Sequence, residues 1–248
     1  MNSTAAVVFD NIHKTYAKQL GESAHVALVA ASFCLQEGRT LGMIGPNGAG
    51  KSTCLHLMLD FIRPDQGRML LFGKPPSRTG LRRRIGYLPE SSRLPRHLSC
   101  LEMLRFAGQS CQMSSSAIAR ESEKWLVRLG LWDDRHRLLR SYSKGMLQRA
   151  SFAMALIHNP DLLILDEPMT GLDPIGRADI VSLIRELKGD GKSILFCSHL
   201  LNDVERLVDQ LVILHRGRIL FHGTLAEFIP SGSEGIEEQF IKLVGDSR

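Results

Sequence analysis

The amino-acid sequence predicts an α/β fold: a mixed, mostly parallel core sheet covered by helices, with an antiparallel β subdomain at the N-terminus and a helical insert. Three observations carry this expectation. Apolar runs at residues 162–165, 193–197 and 211–214 alternate with helical stretches at 178–188 and 202–208, and strands alternating with helices build a parallel sheet covered on both faces. The first forty residues hold short β-rich runs instead. Residues 91–140 lose both patterns and carry Arg, Ser, Leu and Ala at helical spacing.

The elements follow in order. Residues 7–11 and 26–31 read as strands, split by the turn signal Gly21-Glu22-Ser23. The apolar run at 39–44 is a third strand that stops abruptly at Gly45. Residues 51–60 read as a helix closed by Pro64, and residues 67–72 return to strand character. Within the insert, Leu101/Leu104/Arg105 and Trp125/Leu126/Leu129 recur at helical spacing. Residues 144–156 form a further helix, with Ala150, Ala153, Met154 and Ile157 on one side. One domain is expected over 5–228, the helical insert occupying 91–155, followed by a short tail over 229–248 that is helical and amphipathic at 237–243.

Composition narrows the class. The chain has 248 residues, 44% hydrophobic and 23% charged, which excludes disordered and collagen-like readings. Its longest apolar runs fall far short of the roughly 20 residues needed to cross a bilayer, and the start MNSTAAVVFDN carries no basic, apolar leader. Five cysteines, an odd number without CxxC spacing, read as reduced thiols of a cytosolic protein and not as a zinc site. A net charge of +5 is compatible with an anionic partner and equally with an ordinary basic surface. The run Arg82-Arg83-Arg84 has no interleaved aromatics and reads as a solvated helix face.

The sharpest signal is Gly45-Pro46-Asn47-Gly48-Ala49-Gly50-Lys51-Ser52-Thr53. It fits GxxxxGK[ST] between a strand and a helix, the context a phosphate-binding loop needs. Backbone N–H groups of such a turn converge on phosphate oxygens, and the helix N-terminus adds partial positive charge. Lys51 would reach the β and γ phosphates, and the Ser52 hydroxyl would ligate Mg²⁺. The second signal is the run LLIL at 162–165 followed by Asp166, Glu167 and Pro168. Four apolar residues suit a fully buried parallel strand, and ligands bind beyond the carboxyl ends of such strands. Asp166 is then placed for Mg²⁺, and Glu167 for a water near the γ-phosphate as general base. Alone, an acidic pair ending a strand is as well explained by a solvated turn; beside a phosphate loop, it reads as chemistry.

At these residues the chain resembles the nucleotide-binding subunits of ATP-binding-cassette (ABC) transporters, over residues 5–228. Ser141-Tyr142-Ser143-Lys144-Gly145-Met146-Leu147-Gln148-Arg149 is similar to the family signature LSGGQ, with Ser143 and Gly145 matching and Tyr142, Lys144 and Met146 departing. Ser143 also has the chemistry of a plain helix cap. Gly171-Leu172-Asp173-Pro174 resembles the D-loop, which implies that Asp173 touches a partner subunit. Ser198-His199 resembles the switch histidine, which implies that His199 hydrogen-bonds the γ-phosphate. Lys14-Thr15-Tyr16 resembles the aromatic loop whose ring stacks on adenine. Glu90, in Ile85-Gly86-Tyr87-Leu88-Pro89-Glu90, stands where many members carry a Gln that joins Mg²⁺ and the attacking water.

The resemblance therefore implies an ATPase with ATP and Mg²⁺ as cofactors. Glu167, His199 and Lys51 would be catalytic. Tyr16, Gly45, Asn47, Gly48, Ala49, Gly50, Lys51, Ser52, Thr53, Ser143, Gly145 and Asp173 would bind nucleotide, and Ser52, Asp166 and Glu90 would hold the metal. It also implies a head-to-tail dimer with an identical or paralogous cassette, in which Ser143 and Gly145 act on the partner's nucleotide. Separate transmembrane permease subunits would dock near residues 93–105, placing the chain at the cytoplasmic face of the membrane; no nucleic acid is expected. The Glu90 form together with YSKGM is most similar to the ABC-2 export group. Rival readings are an importer ATPase and a non-transport ABC ATPase acting on ribosomes or DNA. Importers more often carry Gln at the Glu90 position, and the non-transport members carry two cassettes or a long coiled coil.

Overall fold

The first strands of the chain alternate buried and open positions, as a sheet with one packed face requires. β1 (Ala5–Tyr16) pairs antiparallel with β2 (His25–Gln36). The computed structural model describes residues 5–17, 24–91, 93–199, 201–229 and 235–245, so the expected turn at Gly21-Glu22-Ser23 lies outside the described residues. Val7, Phe9 and Ile12 of β1 are buried with Leu28, Phe33 and Leu35 of β2, and the Phe9 and Phe33 rings stack at 4.4 Å. Both strands run beyond the apolar runs that announce them. The register shifts between Phe9 and Ile12, where Asn11 takes a left-handed φ of 52° and its N–H donates to Ser32 Oγ at 2.9 Å. β3 (Thr40–Ile44) is buried at every position, α1 (Lys51–Met58) follows it, and β4 (Gln66–Leu71) returns to pair antiparallel with β1.

Two compact units are formed, Met1–Arg82 with Ile184–Arg248, and Arg83–Leu183. The second begins with β5 (Ile85–Leu88). A Gly and only four residues make it a weak strand signal, yet a Cβ on Gly86 would run into the Ala155 carbonyl. Three helices follow. α2 (Cys100–Ser110) opens with a capping box in which Ser99 and Glu102 satisfy each other's backbone N–H groups. α3 (Ser115–Arg128) is capped by Ser114 and buries Trp125 and Leu126. α4 (Lys144–Leu156) buries Ala150, Phe152 and Ala153. β6 (Leu162–Asp166) pairs in parallel with β5, Leu165 opposite Leu88. α5 (Pro174–Gly189) closes this unit and leads the chain back to the first.

In the first unit, β7 (Ser193–Cys197) and β8 (Gln210–His215) flank β3, both parallel to it. α6 (Leu201–Leu207) lies between them in sequence. β9 (Arg218–Thr224) pairs antiparallel with β8; its half-buried residues carry no strong apolar alternation. α7 (Leu225–Phe228), with a Thr224/Glu227 capping box, and α8 (Ile236–Gly245) end the described chain. Arg82 and Arg84 belong to a single 3₁₀ turn, not a helix face. Arg84 pairs with Asp161 at 2.5 Å. None of the five cysteines forms a disulfide. Among the described residues no helix is long and apolar enough to cross a membrane.

Candidate nucleotide site

The phosphate loop grows out of β3. That strand is held on both sides by β7 and β8, so the loop leaves a rigid edge. Gly45 is buried, and a Cβ there would fall inside contact with the Leu214 carbonyl of β8. Gly48 and Gly50 have φ of 78° and 111°, values that a side chain resists. Gly50 caps α1, whose first residues are Lys51, Ser52 and Thr53. The loop closes on itself through Ala49 N–H to the Pro46 carbonyl at 3.1 Å, and the Gly217 N–H, just past β8, donates to the Ala49 carbonyl at 2.9 Å. Lys51 Nζ donates to the carbonyls of Gly45 at 2.6 Å and Pro46 at 3.2 Å. Its ammonium is therefore held over the loop. Asn47 and Gly48 are exposed at the tip, Ser52 is exposed on the first turn of α1, and Thr53 is buried.

Two other expected residues share this unit. β7 runs level with β3, Met43 opposite Cys197, and His199 lies two residues past Cys197 as Gly45 lies two past Met43. Its imidazole is exposed beyond the buried Ser198. Tyr16 ends β1, and its hydroxyl lies 3.4 Å from Thr53 Oγ1.

The second unit gathers the carboxylates. Leu88 is opposite Leu165, and Glu90 and Glu167 each follow their member of that pair by two residues. Glu90 is exposed, while Asp166 and Glu167 are half-buried. Glu167 adopts a left-handed φ of 48°, and its carbonyl accepts the Thr170 N–H at 3.1 Å. A non-glycine residue held in that region is uncommon and clusters at sites of function. Gln148, buried on α4, donates to the Pro168 carbonyl at 3.0 Å and so braces the turn that carries Glu167. Glu90, Arg96, Lys144, Gln148 and Thr170 line a cleft of about 550 Å³.

Ser143 caps α4, its Oγ accepting the Met146 N–H at 3.2 Å. Gly145 stands on the first turn of that helix, and the Lys144 side chain lies directly over Gly171. Asp173 Oδ1 accepts the Gly176 N–H at 2.7 Å at the start of α5. Tyr142, which departs from the signature pattern, has a local reason that the sequence does not show. Its ring is buried and its hydroxyl donates to the Asp134 carbonyl at 2.8 Å; burial pushes the phenol's pKa up. The expected residues thus fall into two sets. Tyr16, Gly45 to Thr53 and His199 are in the first unit; Glu90, Ser143, Gly145, Asp166, Glu167 and Asp173 are in the second.

Comparison with known proteins adds independent support. Residues 28–170 match the family model described as ABC transporter. An ABC transporter ATP-binding protein of Nostoc sp. is 39% identical over 93% of this chain and 70% of its own length. The Nod factor export ATP-binding protein I of Cupriavidus metallidurans is 36% identical over 92% of this chain and 74% of its own. Among solved structures, an ATP-binding subunit of an ABC transporter superposes with a TM-score of 0.87 at 28% identity, covering 96% of this chain and 99% of that one. A dimeric ATP-binding cassette in a post-hydrolysis state, bound to ADP and Pi, gives 0.79 at 25% identity over 88% of this chain and 98% of that one. The chain belongs to the ABC transporter family and has the fold of its ATP-binding subunits.

Proposed function

We propose that the chain is the Mg²⁺-dependent ATPase of an export system whose membrane-spanning parts are separate subunits. The observation that carries this reading is the phosphate loop, with Lys51 Nζ held over it by the Gly45 and Pro46 carbonyls. That arrangement offers backbone N–H groups, a helix N-terminus and a cation to polyphosphate. Export is supported by the likeness to the Nod factor export protein. The chain works at the cytoplasmic face of the membrane, docked to permease subunits through the region 93–105, where α2 begins.

In this account Lys51 balances charge on the β and γ phosphates, and Tyr16 stacks on adenine. The donor set fits Mg²⁺: the exposed hydroxyl of Ser52 and the carboxylates of Asp166 and Glu90 are the oxygen ligands this hard cation takes. When bound, the ion neutralises phosphate charge. Glu167 accepts the proton of a water that attacks the γ-phosphorus; the bond to the bridging oxygen breaks, leaving ADP and phosphate. His199 hydrogen-bonds the γ-phosphate and responds to its departure. Ser143 and Gly145, at the N-terminus of α4, act on the nucleotide of a second cassette, and Asp173 meets that cassette. ATP closes the dimer by sharing contacts across it, and hydrolysis removes them.

Glu167→Gln tests the reading. It should bind ATP, lose about 10²–10⁴ in turnover and elute as a dimer only with ATP. Hydrolysis at the wild-type rate would remove Glu167 as the base. Co-purification of a membrane-spanning chain from membranes tests the partner; an ATPase that leaves the membrane fraction alone at all salt concentrations counts against it.

A further inference from the structure

Asp65 is not part of any motif, yet its carboxylate ties down the segment that carries Tyr16. Lys14 Nζ donates to Asp65 Oδ1 at 2.7 Å and the Thr15 N–H donates to Oδ2 at 2.6 Å. The Asp65 N–H in turn donates to the His13 carbonyl at 2.9 Å. Both carboxylate oxygens are thus spent on the two residues that immediately precede Tyr16. The need for such a tie is visible in β1. Its pairing with β4 shifts register between Asp10 and His13, and its pairing with β2 shifts again between Ile12 and Lys14 and between Lys14 and Thr15. Beyond these shifts Thr15 and Tyr16 pair with Val26 and His25 of β2, whereas the pairing with β4 ends at His13, and Asp65 holds the end of the strand on that side.

We propose that Asp65 is a positioning residue for the base of the nucleotide: by holding Lys14 and Thr15 it sets the Tyr16 ring over the α1 side of the phosphate loop. The inference rests on the reading of Tyr16 as the adenine-stacking residue. The Tyr16 hydroxyl, 3.4 Å from Thr53 Oγ1, marks the position that the ring is held in. The Lys14 bond and the Thr15 bond also keep the Asp65 carboxyl below its ordinary pKa, so the carboxylate is charged across the working pH range. The Asp65 side chain is 41% exposed, and its removal leaves no buried gap.

The test compares ATP with inorganic tripolyphosphate, which has the phosphates and no base, by calorimetric titration of the full chain. Tyr16→Ala should weaken ATP about 5- to 150-fold, the range of base–aromatic stacking, and leave tripolyphosphate unchanged. Asp65→Ala should weaken ATP about 2- to 10-fold, the worth of one net hydrogen bond, again without affecting tripolyphosphate. Lys14→Met should act in the same direction by a smaller factor. In the Tyr16→Ala background Asp65→Ala should add nothing. A merely structural role would lower both affinities together, and that result overturns the proposal. So does an Asp65→Ala variant that binds ATP as the wild type does while Tyr16→Ala does not. If Tyr16→Ala itself shows no selective loss, the stacking role of Tyr16 is what fails, and the Asp65 proposal falls with it. Should Asp65→Ala not fold, Asp65→Asn and Lys14→Met decide the matter by the same ratio.

Discussion

Alanine at three glycines of the phosphate loop separates two costs that such loops combine. Gly48 has a φ of 78° and nothing within 4 Å of a Cβ, so Gly48→Ala meets backbone strain alone. Left-handed backbone costs an L-residue about 1–2 kcal/mol, offset by about 0.4–1 kcal/mol from the stiffer unfolded chain. Gly45 has no left-handed φ, but its Cβ would overlap the Leu214 carbonyl and lie 3.0 Å from Ala49 Cβ. Gly45→Ala therefore meets overpacking alone, at about 1–3 kcal/mol. Gly50 combines both, with φ of 111° and a Cβ 2.7 Å from the Ala27 carbonyl oxygen and 2.9 Å from Leu28 Cδ2; the sum is about 2–5 kcal/mol. At about 2–4 °C per kcal/mol for a chain of this size, thermal unfolding followed by circular dichroism without nucleotide resolves the order. Gly48→Ala should be mildest and Gly50→Ala most severe. A Gly48→Ala variant that melts as early as Gly50→Ala, or a Gly45→Ala variant with the wild-type Tm, would contradict this order.

Two further expectations follow from the same geometry. Lys51→Ala removes charge-assisted bonds to phosphate and should weaken ATP about 10- to 100-fold by equilibrium titration; unchanged affinity would contradict the phosphate-loop role. Burial pushes the Cys54 and Cys100 thiols up to about 12, the Cys100 shift being partly offset by its bond with Tyr142. With the folded pKa raised from 9.0, these thiols stabilise the fold fully below pH 9, and that contribution is lost as pH rises toward 12. A thiol-titrating disulfide reagent at pH 8 should modify the half-buried Cys34 and Cys111 first and reach Cys54, Cys100 and Cys197 only on unfolding; rapid reaction of all five would refute this.

Chemistry that demands special residues at fixed spacing was legible in the sequence. Gly45 to Thr53 and Asp166-Glu167 stand out because phosphate and water need backbone N–H groups, a cation and carboxylates in one order. β7 and α4 were legible to the residue, since one is a short run with four apolar residues after Ser193 and the other begins at a Ser cap. What depended on partners was not. β5 exists because β6 pairs with it and because Gly86 lets α4 approach. β9 exists because β8 offers it an edge. The ties that Asp65 makes to Lys14 and Thr15 join residues about fifty apart in the chain, with no local pattern to announce them. The left-handed turn at Glu167 is equally silent in the sequence, although it sets where the carboxylate points.

On the proposed function, each ATP is hydrolysed between the phosphate loop of one chain and the Ser143 helix of another. Mixing two inactive variants tests it directly. Lys51→Ala lacks a working loop and keeps its α4 N-terminus, whereas Ser143→Arg keeps its loop and blocks α4. In a head-to-tail dimer the pair rebuilds one intact site, so ATP turnover of the equimolar mixture should exceed the sum of the two variants measured alone. A mixture no more active than that sum would contradict the shared site.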